Sequence, residues 1–316
     1  MTQLIKWVCQ TDKSHIFDTP SDDWFCPVCA YGEGILMEET VEVETVEPVK
    51  EVDNRKKMVP QEPEVGLSVI LMDASSSMTD QAFEGNPQSR MRLVASSAAS
   101  GIFDLERMQN NPNAYVAAFK FDDRVELMFM DTVKNLIDKY DGQVKKFADY
   151  IYNELYEMQQ GTDINKALKQ AHIFVEKFMK KELAIFPTDK YVPMNQRVLK
   201  YNSVDSVSIV NVRVLIYTDG MQYDTEGNNK LLPNPFIEKP IEGLNHDIVI
   251  GAFFGNSKDE GCKDLKKILS KCPIHDEKQF FVFENPSKIS ELKHLFRMAS
   301  GASGFCPNCL SKQLNY

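Results

Sequence analysis

From Val65 onward, short continuous apolar runs alternate with longer stretches whose apolar residues recur at helical spacing. Continuous apolar runs are typical of strands that are buried on both faces of a parallel sheet. They cover residues 66–73, 114–122, 212–218, 247–255 and 279–284. The predicted helices lie near residues 91–106, 144–158, 164–179, 263–270 and 288–299. The pattern predicts an α/β fold, a doubly wound mostly parallel sheet flanked by helices, with its functional crevice at the carboxyl ends of the strands.

Composition divides the chain into four parts. Residues 1–37 are rich in Cys, Trp and Gly, which predicts a small metal-binding domain. Residues 38–64 are rich in Glu, Val and Pro, and we interpret them as an acidic linker because they cannot bury a core. Their alternation of Val and Glu would also suit one strand at a sheet edge. Residues 65–300 are predicted to form the large domain, with an insertion at 180–208, and residues 301–316 a C-terminal tail.

Charge and hydropathy narrow the classes of partner. The chain of 316 residues has a formal net charge of −10, which would repel a phosphate backbone, so we expect no nucleic-acid partner. The first residues lack the apolar run of a signal peptide. The sequence also has no stretch of about 18 apolar residues, the length that a helix needs to span a bilayer. We therefore expect a cytoplasmic protein that makes no use of a membrane.

Hydroxyl and carboxylate side chains occur where two predicted strands end and where one predicted helix begins. The 66–73 strand leads into Asp73-x-Ser75-x-Ser77, Thr162 precedes the 164–179 helix, and Asp219 follows the 212–218 strand. In a doubly wound sheet these three loops converge on one crevice. Ser and Asp in such positions are also common turn formers and helix caps, so any one loop alone would be a weak signal. Together they predict a cluster of oxygen ligands for a divalent cation.

These residues resemble a known motif. Asp73, Ser75, Ser77, Thr162 and Asp219 match, in order, all five positions of the metal-ion-dependent adhesion site of von Willebrand A (vWA) domains. We call these five residues the adhesion site. The resemblance covers roughly residues 65–300. The tracts NPNAYVAAFKFDDRVELM, GTDINKALKQA and VRVLIYTDG look especially like the TerY-type bacterial intracellular members of the family.

The resemblance implies a metal and a partner. Ser75 and Ser77 would bind Mg²⁺, or Mn²⁺ in its place, through their hydroxyls, and Thr162 would bind it directly or through water. Asp73 and Asp219 would act mainly through water and hydrogen bonds. Neutral ligands leave the cation able to attract an Asp or Glu carboxylate of another protein. By resemblance the role would be scaffolding or regulatory, alongside kinase or phosphatase partners in a bacterial stress or defence system.

The N-terminal segment resembles a rubredoxin-like zinc ribbon. Four of the seven cysteines form two Cys-Pro-x-Cys pairs, a spacing that favours metal over disulfides. The first pair, Cys26 and Cys29, together with Cys9 and His15 gives a Cys₃His set that suits Zn²⁺. The expected second cysteine of the first turn is missing, and Asp12 is the alternative to His15 as the remaining ligand.

The other cysteines are harder to assign from the sequence. Cys306 and Cys309 form an isolated pair that cannot complete a tetrahedral site alone. They are predicted to complete a metal site with the first pair, to bind metal between two chains, or to remain a dithiol. Cys262 and Cys272 lie next to apolar positions of a predicted helix and are interpreted as core or surface thiols.

Motifs for catalysis do not appear. The chain has no Gly-x-Ser-x-Gly elbow, no Walker phosphate loop and no dinucleotide-binding glycine motif, and no histidine is next to the three loops in sequence. We therefore expect a binding module and not an enzyme. Two alternatives stay open: a magnesium-dependent hydrolase that uses the same Asp and Ser cluster, and a rubredoxin-like electron carrier, which would need iron and four thiolates.

Overall fold

The structure, a computed structural model, describes twelve segments of the chain. These are residues 5–9, 16–19, 34–36, 64–84, 86–109, 114–158, 160–180, 208–244, 248–285, 291–292, 295 and 306–309. The chain divides into two compact units, Met1–Pro63 and Glu64–Tyr316. Residues 38–63 of the predicted linker and 181–207 of the predicted insertion lie outside the described residues.

The first unit contains a three-stranded antiparallel sheet. Its strands are β1 (Ile5–Cys9), β2 (Ile16–Thr19) and β3 (Gly34–Leu36), in the spatial order β2-β1-β3. Trp7 pairs with Phe17 on one side and with Leu36 on the other. Cys9 is the last residue of β1, whereas His15, Cys26, Cys29 and Asp12 lie outside the described residues. The zinc ribbon therefore stays a prediction.

The second unit is built on a six-stranded sheet. Its strands are β4 (Glu64–Asp73), β5 (Ala114–Phe121), β6 (Val125–Thr132), β7 (Ser208–Thr218), β8 (Val249–Phe254) and β9 (Phe280–Phe283). The spatial order is β6-β5-β4-β7-β8-β9, and every neighbouring pair is parallel except β5 with β6. The prediction of a doubly wound, mostly parallel sheet is confirmed. The antiparallel edge strand β6, which pairs with β5 after a short turn, was not predicted.

Helices cover both faces of this sheet. They are α1 (Arg90–Gln109), α2 (Val133–Lys139), α3 (Val144–Tyr156), α4 (Ile164–Met179), α5 (Pro235–Glu238) and α6 (Glu260–Ile268). Among the helices in the described part of the chain, none is both long and apolar enough to cross a bilayer.

Helix α4 shows why these elements pack as they do. Its first residue follows Asp163, whose side chain accepts a hydrogen bond from the backbone N–H of Lys166 and so caps the helix. The buried positions recur at helical spacing: Ile164, Ala167, Leu168, Ala171, Val175 and Phe178. This apolar stripe packs in one cluster with alternate residues of β4, namely Leu67, Val69 and Leu71.

The strands that follow β4 in sequence are placed first on one side of it and then on the other, so the strand order reverses at β4. Helix α1 carries it from β4 to β5 on one side, and the later strands β7, β8 and β9 extend the sheet on the other side. In open α/β sheets such a reversal leaves a crevice at the carboxyl ends of the two central strands. The last residues of β4 and β7, Asp73 and Thr218, therefore face the same crevice.

Candidate metal sites

The adhesion site begins with a buried hydrogen bond between the two central strands. Asp73 is fully buried, and its Oδ2 accepts a hydrogen bond of 2.5 Å from Thr218 Oγ1. Its Oδ1 accepts a hydrogen bond of 2.8 Å from the backbone N–H of Ser75. Because both oxygens have fixed donors, the carboxylate orients the turn that follows β4. Thr218 was not among the predicted site residues.

The two serines of that turn connect β4 to the loop after β7. Ser75 Oγ and Ser77 Oγ lie 3.2 Å apart, and Ser77 Oγ donates a hydrogen bond of 2.7 Å to Asp219 Oδ1. The other oxygen of Asp219, Oδ2, forms a salt bridge with Arg90 at the start of α1. Sequence analysis missed Arg90, since nothing in its neighbourhood along the chain indicates a partner in a loop 129 positions away.

Thr162 completes the set from the loop before α4. Its backbone N–H donates to the carbonyl of Tyr223 at 3.1 Å, and the N–H of Tyr223 donates back to Thr162 at 2.8 Å. An added Cβ at Gly220 would lie 3.1 Å from Thr162 Oγ1, so glycine permits this close approach of the two loops. The structure thus brings together all five predicted residues of the adhesion site.

Burial and like charge both act on the carboxylates of the adhesion site. Burial, together with the nearby negative charge of Asp219, raises the pKa of Asp73 to about 7, although hydrogen bonds from Thr218 and Ser75 act in the opposite direction. A pair of buried carboxylates that repel each other in this way is stabilised by a cation placed between or beside them. Arg90 offsets part of this negative charge at Asp219, and a cation in the crevice would offset more of it.

A second group of metal-ligating side chains lies elsewhere in the same unit. Cys272, His275, Cys306 and Cys309 gather so that their four ligand atoms all lie within 4.8 Å of one another. We call these four residues the cysteine-histidine cluster. Burial is the main cause that raises the pKa of the Cys306 thiol to about 12.

This arrangement adds to the expectations for the cysteines. Cys272 is a buried thiol, as expected, but it follows α6 and contacts the C-terminal pair. The C-terminal pair is accompanied by residues of its own unit, a combination that the sequence analysis did not consider. Cys262 is buried within α6, as expected for a core thiol.

The residues of the cysteine-histidine cluster share a spacing pattern in the sequence. Cys272-Pro-Ile-His275 repeats the spacing of Cys306-Pro-Asn-Cys309, with a histidine in place of the second cysteine. This shared spacing marks both turns as possible pairs of metal ligands, although it does not indicate that they meet in the fold.

Several solved structures are similar to this chain. One is the proximal thread matrix protein 1 of the mussel byssus with a zinc-occupied MIDAS motif, at 17% identity, covering 75% of this chain and 48% of that chain with a TM-score of 0.40. A von Willebrand factor type A structure from Catenulispora acidiphila has 12% identity, covers 75% and 43%, and has a TM-score of 0.35. The SpRpn10 VWA domain has 10% identity, covers 72% and 93%, and has a TM-score of 0.38.

The chain spans about half the length of the mussel proteins that it matches. No protein-family model and no curated protein sequence matches it.

Proposed function

We propose that this protein binds a divalent cation at the adhesion site and uses the cation to hold a carboxylate of another protein. The observation that carries the proposal is that three separate loops bring these side chains together. Hydrogen bonds link Asp73 to the backbone N–H of Ser75, Ser75 to Ser77, and Ser77 to Asp219, while Thr162 lies close to Gly220, the residue after Asp219.

The donor set fits magnesium. Two adjacent ligands of an octahedral Mg²⁺ at about 2.1 Å are about 3.0 Å apart. Ser75 Oγ and Ser77 Oγ, at 3.2 Å, have nearly this separation. All five side chains offer oxygen atoms, which suit Mg²⁺ or Mn²⁺ better than softer metals. Ser75, Ser77 and Thr162 would hold the ion, and Asp73 and Asp219 would orient its water molecules.

A carboxylate partner follows from the charge at this site. The serine and threonine ligands are neutral, and Arg90 already neutralises part of the charge of Asp219. A cation held in this way keeps a strong attraction for one more anionic oxygen. The side chain of Asp or Glu supplies such an oxygen.

The surroundings of the site favour a protein over a small anion. The loop after Asp219 exposes large apolar side chains beside the crevice, with Met221 54% and Tyr223 58% exposed. Tyr223 is joined by backbone hydrogen bonds to Thr162 itself. Apolar and aromatic side chains around a polar centre are typical of protein interfaces.

We propose a binding role and not catalysis. Of the histidines whose side chains the structure describes, His172 contacts the carbonyl of Lys239 at 2.7 Å and packs on Phe236, while His275 belongs to the cysteine-histidine cluster. Neither is placed as a general base for the adhesion site. By the family resemblance, partners would be sought among kinases and phosphatases of stress or defence systems.

The test begins with the metal alone. Calorimetric titration with Mn²⁺ compares the wild-type protein with the double variant Ser75→Ala/Ser77→Ala and with Ser76→Ala, whose exposed side chain lies between them. We expect the double variant to lose at least about tenfold in affinity, because two direct ligands are removed, and Ser76→Ala to be unchanged. Equal affinity in the double variant would refute the adhesion site.

The partner is tested next. Pull-down in Mg²⁺ and in chelator, with the same three proteins, should capture a partner only in Mg²⁺ and only with wild type and Ser76→Ala, which both keep Ser75 and Ser77. Replacement of the captured protein's Asp and Glu residues one at a time should identify one carboxylate whose loss abolishes binding. Capture that is insensitive to the chelator would contradict the proposed mode of binding.

A further inference from the structure

Two turns of the same type face each other in the cysteine-histidine cluster. Cys272-Pro-Ile-His275 lies in the connection between α6 and β9, and Cys306-Pro-Asn-Cys309 lies near the C-terminus. In a turn of this type the second ligand comes three positions after the cysteine, and the ligand atoms of both residues lie on the same side of the turn. Two such turns facing each other supply four ligands, the number that a tetrahedral metal requires.

The distances within the cluster are those of a tetrahedral shell. Two thiolates bound to Zn²⁺ at about 2.3 Å are about 3.8 Å apart, and a thiolate and an imidazole nitrogen are about 3.6 Å apart. Cys309 Sγ lies 3.7 Å from both Cys272 Sγ and Cys306 Sγ. His275 Nδ1 lies 3.2, 3.3 and 3.9 Å from the sulfur atoms of Cys306, Cys309 and Cys272. The same ring nitrogen faces all three sulfur atoms.

The backbone holds the first turn in place. The N–H of Cys272 donates to the carbonyl of Glu277 at 2.6 Å, and the N–H of Asp276 donates to the carbonyl of Cys272 at 3.1 Å. Asp276 has a φ of +51°, a left-handed conformation that lets the chain turn sharply after His275. The side chain of Asn308 donates to Glu277 Oε1 at 2.8 Å and joins the second turn to the first.

The three sulfur atoms are in a dry environment. Cys272, Cys306 and Cys309 are buried, and His275 is half-buried. In the described residues these cysteines are thiols and not disulfides. The ligand atoms of the three thiols and the imidazole lie within 4.8 Å of one another, so several polar groups are buried close together. A metal ion bound by all four would stabilise them better than the weak hydrogen bonds that thiols form with one another.

We propose that Cys272, His275, Cys306 and Cys309 bind one structural zinc ion through three thiolates and Nδ1 of the histidine. Binding releases the protons of the three thiols to solvent, and the ion ends with four protein ligands and no open position. The closed shell makes the site structural. Its ligands are up to 37 positions apart, so the ion fastens the C-terminal segment to the connection before β9.

Metal content of the full chain tests the proposal. Zinc per chain is measured by mass spectrometry of the purified reduced protein, for wild type, Cys306→Ser/Cys309→Ser and Cys262→Ser. We expect the double variant to contain one zinc ion per chain less than wild type, and Cys262→Ser, which removes a buried thiol outside the cluster, to keep the full amount. Cys26→Ser/Cys29→Ser, made in parallel, separates this zinc from any held by the N-terminal segment. Equal zinc in wild type and Cys306→Ser/Cys309→Ser would overturn the proposal.

His275→Cys tests the ligand assignment with a protein that keeps four metal ligands in the cluster. His275→Cys changes the shell from three thiolates to four and should still bind metal, whereas His275→Ala should bind it more weakly. With cobalt in place of zinc, and with Cys26→Ser/Cys29→Ser present in both proteins to remove the N-terminal thiolate pair, the thiolate-to-cobalt absorption of His275→Cys should exceed that of the parent protein by about one third, in proportion to the number of thiolates. An unchanged cobalt spectrum in His275→Cys would show that His275 is not a ligand and would overturn the assignment.

Discussion

Thr218 Oγ1 donates a buried hydrogen bond of 2.5 Å to Asp73 Oδ2, across 145 positions of sequence. This bond joins the carboxyl ends of β4 and β7, the two neighbouring strands at which the strand order of the sheet reverses. Thr218 Oγ1 also accepts a hydrogen bond from the N–H of Gly220 at 3.1 Å, so one hydroxyl orients residues on both sides of the crevice.

Thr218→Val should therefore weaken both the fold and the metal site. The substitution keeps the shape of the side chain but leaves a buried carboxylate oxygen without its donor, which costs about 1–3 kcal/mol in the free energy of unfolding. We expect Mn²⁺ affinity to fall by about tenfold because Asp73 loses its orientation. Chemical denaturation and calorimetry measure the two effects. Thr218→Ser, which keeps the hydroxyl, should lose much less in both, and equal losses would show that the methyl group matters instead.

Asp73→Asn separates the metal's contribution from that of the fold. Asp73→Asn removes the repulsion between Asp73 and Asp219, but its amide NH₂ group must face one of the two buried donors, Thr218 Oγ1 or the N–H of Ser75, so we expect the melting temperature in chelator to fall below that of wild type. Magnesium at about 100 times its wild-type dissociation constant should stabilise wild type by about 2.7 kcal/mol and the variant by no more than about 1.4 kcal/mol, the value for a tenfold loss of affinity. Thermal unfolding with and without Mg²⁺ tests this. A magnesium-dependent rise of the same size in the variant would exclude Asp73 from the site.

Arg90 should restrain the affinity for the cation. Its guanidinium forms a salt bridge with Asp219 beside the proposed ion, and a positive charge there opposes cation binding. Arg90→Gln is expected to tighten Mn²⁺ binding by a few-fold, as measured by calorimetry. Arg92→Gln is the matched control because Arg92 pairs with Asp149 instead. Weaker binding in Arg90→Gln would show that Arg90 acts mainly by orienting Asp219.

A buried lysine of β5, away from the proposed metal sites, should stabilise the packing of α3 on the sheet in a pH-dependent way. Lys120 Nζ lies 2.9 Å from Glu154 Oε2 and 3.2 Å from Glu157 Oε2. Burial acts to lower the pKa of Lys120, but the hydrogen bonds and charges of Glu154 and Glu157 outweigh it and raise the pKa above 10.5. The stabilisation is therefore fully present below about pH 10.5 and is lost as the pH rises through the raised pKa.

Lys120→Met should lower the free energy of unfolding by about 1–3 kcal/mol near neutral pH. The difference from wild type should shrink only in strongly alkaline solution, which urea denaturation at about pH 8 and about pH 11 measures. Lys146→Met is the control because Lys146 forms an exposed pair with Asp141, and it should change stability by less than about 1 kcal/mol. A difference that is constant across this pH range would assign the effect of Lys120 to packing alone.

Local patterns were enough to predict the central part of the fold. The apolar runs that became β4, β7 and β8 are buried on both faces, so each one is continuous in the sequence and easily recognised. The antiparallel strand β6 was missed because its first three residues are half-exposed or exposed and the next four are buried, which gives neither a clean alternation nor a fully apolar run.

The sequence by itself indicated three loops that converge at strand ends and a helix start, and the resemblance to the adhesion-site motif selected Asp73, Ser75, Ser77, Thr162 and Asp219 within them. Only the tertiary structure decided which distant side chains join them. It placed Arg90 on Asp219 and Thr218 on Asp73, and it brought Cys272 and His275 to Cys306 and Cys309. The reason is physical: these contacts join residues 31 to 145 positions apart, and a pairing at that separation depends on how whole elements pack and leaves no periodic trace along the chain.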